Sequence, residues 1–193
     1  MTDPRVHHDP WPEETLAGVT PARQHEFSAG RQAARLALAE LGLPSCAIPM
    51  TVDRTPQWPM GVMGSITHCA DVCLAAVVPS ARVSGIGIDI EPATPLDRSL
   101  WPLVLCAEEI ARLESAAEAE LLAKSIFVAK EAAFKAQYGK SRTVFGFDGL
   151  RIDWSGDQFE AVFMRDIACF QKGASVLGRY CAVDGKSLAV VVM

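Results

Sequence analysis

Within residues 84–92, isoleucine alternates with glycine and acidic residues. This period of two predicts a strand with one aliphatic face, while its other face is bare backbone followed by the carboxylates of Asp89 and Glu91. Pro92, which has no N–H to donate, ends the strand. Because Asp89 and Glu91 are two positions apart, they leave the same face and can bind one cation, and the glycines leave room for a ligand. Carboxylate oxygens favour a hard ion such as Mg²⁺, although a polar strand end facing water has the same pattern.

The pattern of the first half predicts one helix and three short strands. Residues 1–20 form a loosely structured arm, and residues 28–41 have the composition of a helix with Ser28 as N-cap and Gly42 at its C-terminal end. The proline-rich residues 43–59 then form a loop. Three strands follow, over residues 62–68, 72–78 and 83–91, with turns at Cys69–Asp71 and Pro79–Arg82.

An antiparallel order of these three strands has a geometric consequence. The ends of the first and third strands then lie at the same edge of the sheet. His68 ends the first strand, and Asp89 and Glu91 end the third. The sequence therefore predicts that an imidazole and two carboxylates meet at one edge. There His68 donates a hydrogen bond to a phosphate, carries a proton, or has a structural role only.

The second half repeats the order of helix followed by antiparallel strands. Residues 107–120 and 121–138 read as two helices, and Asp184-Gly185 is a strong hairpin signal. The strands are predicted over residues 149–154, 158–164, 178–183 and 187–193. This repetition favours an α+β fold of two similar, distantly duplicated lobes, residues 1–82 and 83–193, with the active site in the cleft between them.

The composition is that of a globular protein, since half of the 193 residues are hydrophobic and 21% are charged. The net charge of −5 argues against nucleic acid as a partner but permits a local basic pocket for a phosphorylated small molecule. No apolar run reaches the roughly 18–20 residues that span a bilayer, and no signal peptide is visible. The six cysteines form no CxxC pair, which favours reduced core thiols in a cytoplasmic protein.

The predicted helix 121–138 combines opposite charges with aromatic residues. Glu131 and Lys135 are four positions apart and therefore share a helix face. Phe127, Phe134 and Tyr138 lie on or beside that face. The pair is either an ordinary helix-stabilising interaction or, if Glu131 faces the acidic strand end, part of a site that needs a cation.

Arginines of the first half are candidates for binding phosphate. Arg31 and Arg35 share a helix face, and Arg23 precedes the predicted helix. A guanidinium group can bind two phosphate oxygens at once, but most such arginines are solvated surface residues.

Four sequence blocks, in this order, resemble the longer single-chain type of the 4′-phosphopantetheinyl transferase superfamily. Together they extend over residues 23–147, and the last forty or so residues match only in strand pattern. The blocks are Arg23-Gln-x-Glu26-Phe27 with Gly30-Arg31-x-x-Ala-Arg35, then Pro56-x-Trp58-Pro59-x-Gly61 with Gly64-Ser65-Ile-Thr67-His68, then Gly-Ile-Asp89-Ile-Glu91, and finally Phe-x-Ala-Lys130-Glu131-Ala-x-x-Lys135-Ala.

The resemblance implies a Mg²⁺-dependent enzyme that moves phosphopantetheine from coenzyme A to a serine of an apo acyl or peptidyl carrier protein and releases 3′,5′-ADP. It implies that Asp89, Glu91 and Glu131 hold Mg²⁺, and that Glu131, Lys135 and His68 act in catalysis, with Glu131 accepting the serine proton directly or through water. The implied coenzyme A contacts are Arg23, Arg31, His68, Lys130 and Lys135, together with Arg35 and Thr67.

Two positions depart from the family pattern. Met50 stands where some relatives have a phosphate-binding lysine, so Arg54 is expected to serve instead. Val128 stands where a smaller or more polar residue is usual, which can shift the packing of the helix.

Other functions share these residues. A Mg²⁺-dependent hydrolase of pyrophosphate or coenzyme A uses water in place of serine, and a coenzyme A-binding module lacks turnover altogether. The three carboxylates speak against the module. Two lobes in one chain make a monomer sufficient, and siderophore, polyketide and nonribosomal peptide synthesis all use such carriers.

Overall fold

The computed structural model describes residues 1–14, 16, 18–69 and 71–193. Helices and antiparallel strands make up the fold, which confirms the α+β class. The elements are α1 (Pro21–Glu40), β1 (Val62–Cys69), β2 (Val72–Pro79), β3 (Ile86–Pro92), α2 (Trp101–Val104), α3 (Ala107–Leu113), α4 (Ala119–Ser141), β4 (Leu150–Ser155), β5 (Gln158–Phe163), β6 (Ser175–Val183) and β7 (Lys186–Val192).

Helix α1 begins earlier than the sequence predicts. Thr20 is the N-cap, because its hydroxyl accepts a hydrogen bond from the Arg23 N–H at 3.3 Å, and Pro21 occupies the first turn. The prediction of Ser28 as N-cap was wrong, since Ser28 is buried inside the helix. The Thr-Pro pair is the stronger start signal, and Gly42, with a φ of +74°, follows the end of the helix as expected.

Strands β1 and β2 form a hairpin that packs on α1. Its register runs from Val62 opposite Pro79 to Cys69 opposite Val72. Small residues of α1, including Ala29 and Ala33, are buried against the hairpin. The predicted turn at Cys69–Asp71 includes Ala70, which lies outside the described residues.

Strand β3 is not the third strand of that sheet, so the predicted three-stranded order was wrong. It pairs with β7 at one edge of a second sheet, whose order is β3-β7-β6-β5-β4. Its other edge faces β1, where Ser65 Oγ accepts from the Ile88 N–H at 3.1 Å and Thr67 Oγ1 accepts from the Ile90 N–H at 3.2 Å. Side-chain hydroxyls thus replace a backbone ladder, and local sequence carries no signal for that replacement.

The second half follows the predicted order with one break. Glu118 has a left-handed φ of 57° and precedes α4, so α3 ends at Leu113 instead of near residue 120. Strands β4 to β7 are confirmed, and the two-residue turn Asp184-Gly185 joins β6 to β7 with positive φ at both positions. The division into two similar lobes at residue 83 stays a prediction.

Helix α4 lies across β3 at very short range. An added Cβ on Gly85 or Gly87 would collide with the backbone of Ala136 or Ala132. The bare face of the strand therefore receives the helix, and the expectation that it leaves room for a ligand was wrong. The rest of the alanine-rich face of α4 is buried with Phe159, Phe163 and other residues of the five-stranded sheet.

All six cysteines are free. Cys69 and Cys73 are buried, whereas Cys169 and Cys181 are exposed, so the expectation of core thiols is right for only part of the set. Among the described residues, none of the helices combines the length and the apolar character needed to cross a membrane.

We expect Gly87→Ala to destabilise the protein by about 1–3 kcal/mol, because the new methyl group must push α4 away from β3. Thermal unfolding measures the change as a lower Tm. Gly139→Ala, in α4, is the control, because nothing lies within 4 Å of an added Cβ at that position. Equal Tm values for the two variants would contradict the proposed close packing.

Candidate active site

One face of α4 carries three charged residues toward the end of β3. Lys124, Glu131 and Lys135 are spaced by seven and four positions and therefore lie along one stripe of the helix. Asp89 and Glu91 leave β3 on its glycine face, which is the face that α4 covers. Helix and strand together bring three carboxylates and two ammonium groups into one cluster.

Asp89 is held from two sides through one of its oxygens. Its Oδ1 accepts hydrogen bonds from Lys135 Nζ at 2.6 Å and from Thr67 Oγ1 at 2.9 Å. Lys135 Nζ also donates to the Ile88 carbonyl at 3.1 Å. The other oxygen, Oδ2, is buried and has no hydrogen-bond partner among the described residues. An unpartnered buried carboxylate oxygen is costly, so it marks a place where a cation fits.

Glu91 is paired with a lysine that the sequence analysis missed. Lys124 Nζ lies 3.3 Å from Glu91 Oε2 and 5.4 Å from the centroid of the Phe127 ring. The side chain of Lys124 is 12% exposed, whereas that of Glu91 is 30% exposed. The available signal was the spacing, since Lys124 shares the helix face of Glu131 and Lys135.

The third carboxylate, Glu131, has no hydrogen bond or ion pair to another described residue. Burial raises its pKa, the negative charges of Asp89 and Glu91 raise it further, and Lys135 opposes them. The charges of Asp89 and Glu91 therefore act on Glu131, while the gathering of all three carboxylates round a shared cation stays a prediction.

The donor set fits a hard divalent cation. Three carboxylates provide oxygen ligands, and Asp89 Oδ2 is buried without a partner. The described residues nevertheless contain no group of three His, Cys, Asp or Glu side chains already arranged to hold a metal. Lysine ammonium groups now neutralise two of the three carboxylates, so the carboxylates must rearrange to bind an ion.

His68, near the end of β1, is in contact with Arg23 of α1. Arg23 Nη1 lies 3.1 Å from His68 Nε2 and donates to Glu26 Oε2 at 3.0 Å. Burial lowers the pKa of His68, and the charges of Lys135 and Glu91 also act on this imidazole. The lowered pKa favours the neutral imidazole, so His68 Nε2 accepts a hydrogen bond from Arg23 Nη1. The contact of β1 with the acidic strand end is made by Thr67, the neighbour of His68, and the meeting of His68 itself with Asp89 and Glu91 stays a prediction.

Arg31 is buried without a carboxylate partner in the described part of the chain. Its Nε donates to the Ile48 carbonyl at 2.7 Å, and its guanidinium carbon lies 4.0 Å from the centroid of the Phe27 ring. Burial lowers the pKa of Arg31 to about 10. A buried guanidinium group with spare donors suits an anionic ligand.

Two of the cations predicted to contact phosphates form buried ion pairs. Arg35 Nη1 binds both oxygens of buried Glu14 at 2.7 and 2.6 Å, and Arg35 is itself only 5% exposed. Lys130 is 1% exposed and donates to Glu109 Oε2 at 2.7 Å. Both cations form buried ion pairs inside the fold, and Lys130 also borders a small cavity beside Glu131, so their contact with coenzyme A stays a prediction.

Thr67 also has a different task from the predicted one. The residue is 5% exposed, and its hydroxyl hydrogen is donated to Asp89. It therefore orients a carboxylate of the cluster and has no hydrogen left for a phosphate.

Two cavities flank the cluster. The larger, of about 510 Å³, is bordered by the loop 51–58, β1 and α4, and its lining includes Arg54 and Lys135. The smaller, of about 140 Å³, lies beside Glu131 and is lined by Phe134 and neighbouring aromatic residues. Lys135 thus borders the larger cavity and Glu131 borders the smaller one, although both belong to the same stripe of α4.

An ion-pair network that the sequence did not reveal closes the end of the larger cavity. Asp53 Oδ2 accepts from the Tyr138 hydroxyl at 2.9 Å and from Arg142 Nη1 at 3.2 Å. These contacts join residues more than eighty positions apart, so they hold the loop 51–58 against α4.

Comparison with known proteins gives a consistent result for the whole chain. The family model of the 4′-phosphopantetheinyl transferase N-terminal domain matches residues 12–78, and that of the 4′-phosphopantetheinyl transferase superfamily matches residues 85–190. The 4′-phosphopantetheinyl transferase Npt of Nocardia iowensis is 36% identical over 194 residues, which cover 94% of this chain and 87% of Npt.

Other relatives are matched over a smaller share of their length. The 4′-phosphopantetheinyl transferase PptT of Mycobacterium tuberculosis is 34% identical, over 77% of this chain and 66% of PptT. Enterobactin synthase component D of Escherichia coli K12 is 39% identical, over 70% of this chain and 65% of that protein. Among solved structures, holo-[acyl-carrier-protein] synthase of Thermotoga maritima matches with a TM-score of 0.45 and 22% identity, covering 57% of this chain and 62% of that one.

We expect Lys130→Met to lower the free energy of unfolding by about 3–5 kcal/mol, because it leaves Glu109 buried and unpaired. Urea-induced unfolding measures the loss. Lys140→Met, at an exposed position of the same helix, is the control and should change stability little. A stable Lys130→Met protein with weakened coenzyme A binding would instead assign Lys130 to the ligand.

Proposed function

The chain belongs to the 4′-phosphopantetheinyl transferase superfamily, and we propose that it transfers the phosphopantetheine arm of coenzyme A to a serine hydroxyl of an apo-carrier protein. The observation that carries the proposal is the carboxylate cluster of β3 and α4. Asp89 and Glu91 from the strand act electrostatically on Glu131 from the helix, and Asp89 Oδ2 is buried without a hydrogen-bond partner among the described residues.

The transfer replaces a phosphoanhydride bond of coenzyme A with a phosphoester bond to the carrier serine. The serine oxygen of the carrier attacks the phosphorus that bears pantetheine, the bond from this phosphorus to the bridging pyrophosphate oxygen breaks, and 3′,5′-ADP leaves. The serine proton passes to a base. Such a reaction depends mainly on holding the phosphates in line and on neutralising the charge that develops on their oxygens.

The carboxylates of Asp89, Glu91 and Glu131 are the residues that would hold Mg²⁺. When bound there, Mg²⁺ supplies positive charge that neutralises the pyrophosphate oxygens in the transition state. The hydrogen bonds of Asp89 support this role: Thr67 and Lys135 hold Oδ1, and Oδ2 is left buried without a hydrogen-bond partner among the described residues.

Four cations and the neutral imidazole of His68 are assigned to the phosphates of coenzyme A. Arg23 contacts His68, Arg31 has spare donors, and Arg54 borders the larger cavity together with Lys135. Separate cations for separate phosphates suit a ligand that carries a pyrophosphate and a 3′-phosphate. Arg54 is assigned the phosphate contact that the uncharged side chain of Met50 cannot make.

Glu131 is assigned as the base for the serine proton, directly or through one water. Its carboxylate is half-buried and has no hydrogen-bond partner among the described residues, so an oxygen is available to accept a proton. Lys135, one helical turn away, balances the charge of the cluster and is placed to bind the pyrophosphate.

The proposal extends to the arrangement of the protein and its partners. Residues 1–82 and 83–193 are assigned to two lobes with the active site between them, so a monomer is sufficient for activity. The protein is assigned to the cytoplasm. The carrier is an acyl or peptidyl carrier protein of siderophore, polyketide or nonribosomal peptide synthesis.

Mass spectrometry of an apo-carrier after incubation with coenzyme A and Mg²⁺ tests the function. We expect a gain of one phosphopantetheine unit and stoichiometric 3′,5′-ADP. Cleavage of coenzyme A without a mass gain would assign a hydrolase, and binding without turnover would assign a non-catalytic module.

We expect Asp89→Asn to lower the transfer rate by at least about a hundredfold, since the substitution removes the charge of a carboxylate at the reacting phosphates. The amide keeps the shape of the side chain and its oxygen can still accept from Thr67 and Lys135, and circular dichroism checks that the variant is folded. Asp71→Asn is the control, because Asp71 pairs with Lys186 at the surface. Unchanged transfer by Asp89→Asn would contradict the assignment of Asp89.

We expect Arg31→Gln to raise the KM for coenzyme A by about ten- to a hundredfold, which is the range for losing a charged hydrogen bond. Steady-state kinetics measure the effect, with circular dichroism to check the fold. Arg82→Gln, at an exposed position, should leave the KM unchanged. An unchanged KM for Arg31→Gln would mean that Arg31 does not contact coenzyme A and serves only to donate a hydrogen bond to the Ile48 carbonyl.

A further inference from the structure

Lys124 is a charged residue of the cluster to which no role has been given. It reaches Glu91 Oε2 at 3.3 Å from the same stripe of α4 that carries Glu131 and Lys135. Its side chain is largely buried, so the pair is shielded from bulk water. An ion pair in such a place responds strongly to any further charge.

The two lysines of the stripe are held differently. Lys135 donates to Asp89 and also to the Ile88 carbonyl, which ties its ammonium group to the backbone of β3. Among the described residues, Lys124 has Glu91 as its hydrogen-bond partner and the face of Phe127 as a second neighbour. Lys124 can therefore leave its carboxylate without breaking a backbone contact.

A divalent ion on Glu91 and the ammonium group of Lys124 repel each other. Both are cations directed at one carboxylate, and the effective dielectric constant of a half-buried site screens them only partly. The described residues contain no ready-made group of three ligands. We take both facts to indicate that the ammonium group of Lys124 now neutralises a carboxylate that a metal ion would otherwise bind.

We propose that Lys124 competes with the divalent cation for Glu91 and thereby keeps metal affinity low until coenzyme A is bound. This inference rests on the proposed function. The displaced ammonium group has two partners available, the face of the Phe127 ring and an oxygen of the incoming pyrophosphate. The anionic substrate thus removes the competitor, which couples substrate binding to metal binding.

Binding of Mn²⁺ as the probe ion, measured by electron paramagnetic resonance on the whole chain, tests the competition without an activity assay. We expect Lys124→Gln to bind Mn²⁺ about tenfold more tightly than wild type in the absence of coenzyme A, within the usual range of coupling between two ligands. With coenzyme A present, the two affinities should become similar. Lys124→Arg keeps the charge and should retain the weak affinity of wild type.

Lys140→Gln is the matched control and should bind Mn²⁺ as wild type does, because Lys140 lies at an exposed position of α4. If thermal unfolding shows that Lys124→Gln is not folded, Lys124→Ala is measured in its place. Equal affinity of Lys124→Gln and wild type would overturn the competition. Weaker binding would also overturn it and would make Lys124 a support for Glu91. If wild type binds no Mn²⁺ with or without coenzyme A, the metal assignment itself fails.

Discussion

The active site depends on how closely the backbones of α4 and β3 approach each other. Gly85 and Gly87 have no side chain to separate the two elements, and alanines of α4 complete the contact. This contact brings carboxylates of the strand against the acid and lysines of the helix, although the two segments are about forty positions apart. A side chain at either glycine displaces the whole charged stripe.

Neighbouring residues of α4 have opposite tasks because consecutive positions of a helix point about 100° apart. Lys130 turns inward, where Glu109 and two backbone carbonyls satisfy its ammonium group. Glu131, the next residue, turns toward the carboxylates of β3. Glu109 also accepts from the backbone of Ile152, so this buried pair fixes α4 against α3 and β4 and thereby fixes the direction of Glu131.

Local patterns in the sequence were enough for the strands and for α4, whereas the role of the carboxylates stays a prediction. The alternation around Asp89 and the spacing of Glu131 and Lys135 are properties of single elements, and both were confirmed as local structure. The partner of β3 was not predictable in this way, because β7 lies about a hundred positions away and pairing depends on the finished sheet.

The same limit applies to charged side chains. Arg35 and Lys130 have the residue types of phosphate ligands, but their buried partners, Glu14 and Glu109, are distant in sequence. Lys124 shows the reverse case, since its spacing on the helix was visible while its contact with Glu91 was not. Sequence therefore identified the kinds of groups at the site, and the fold decided which of them face a ligand.

The most direct test is an anomalous-difference map from crystals grown with coenzyme A and Mn²⁺. The account predicts one strong peak within bonding distance of carboxylate oxygens from Asp89, Glu91 and Glu131, next to the pyrophosphate. A peak elsewhere, or Glu131 turned away from Asp89 and Glu91 with no ion between them, would contradict it.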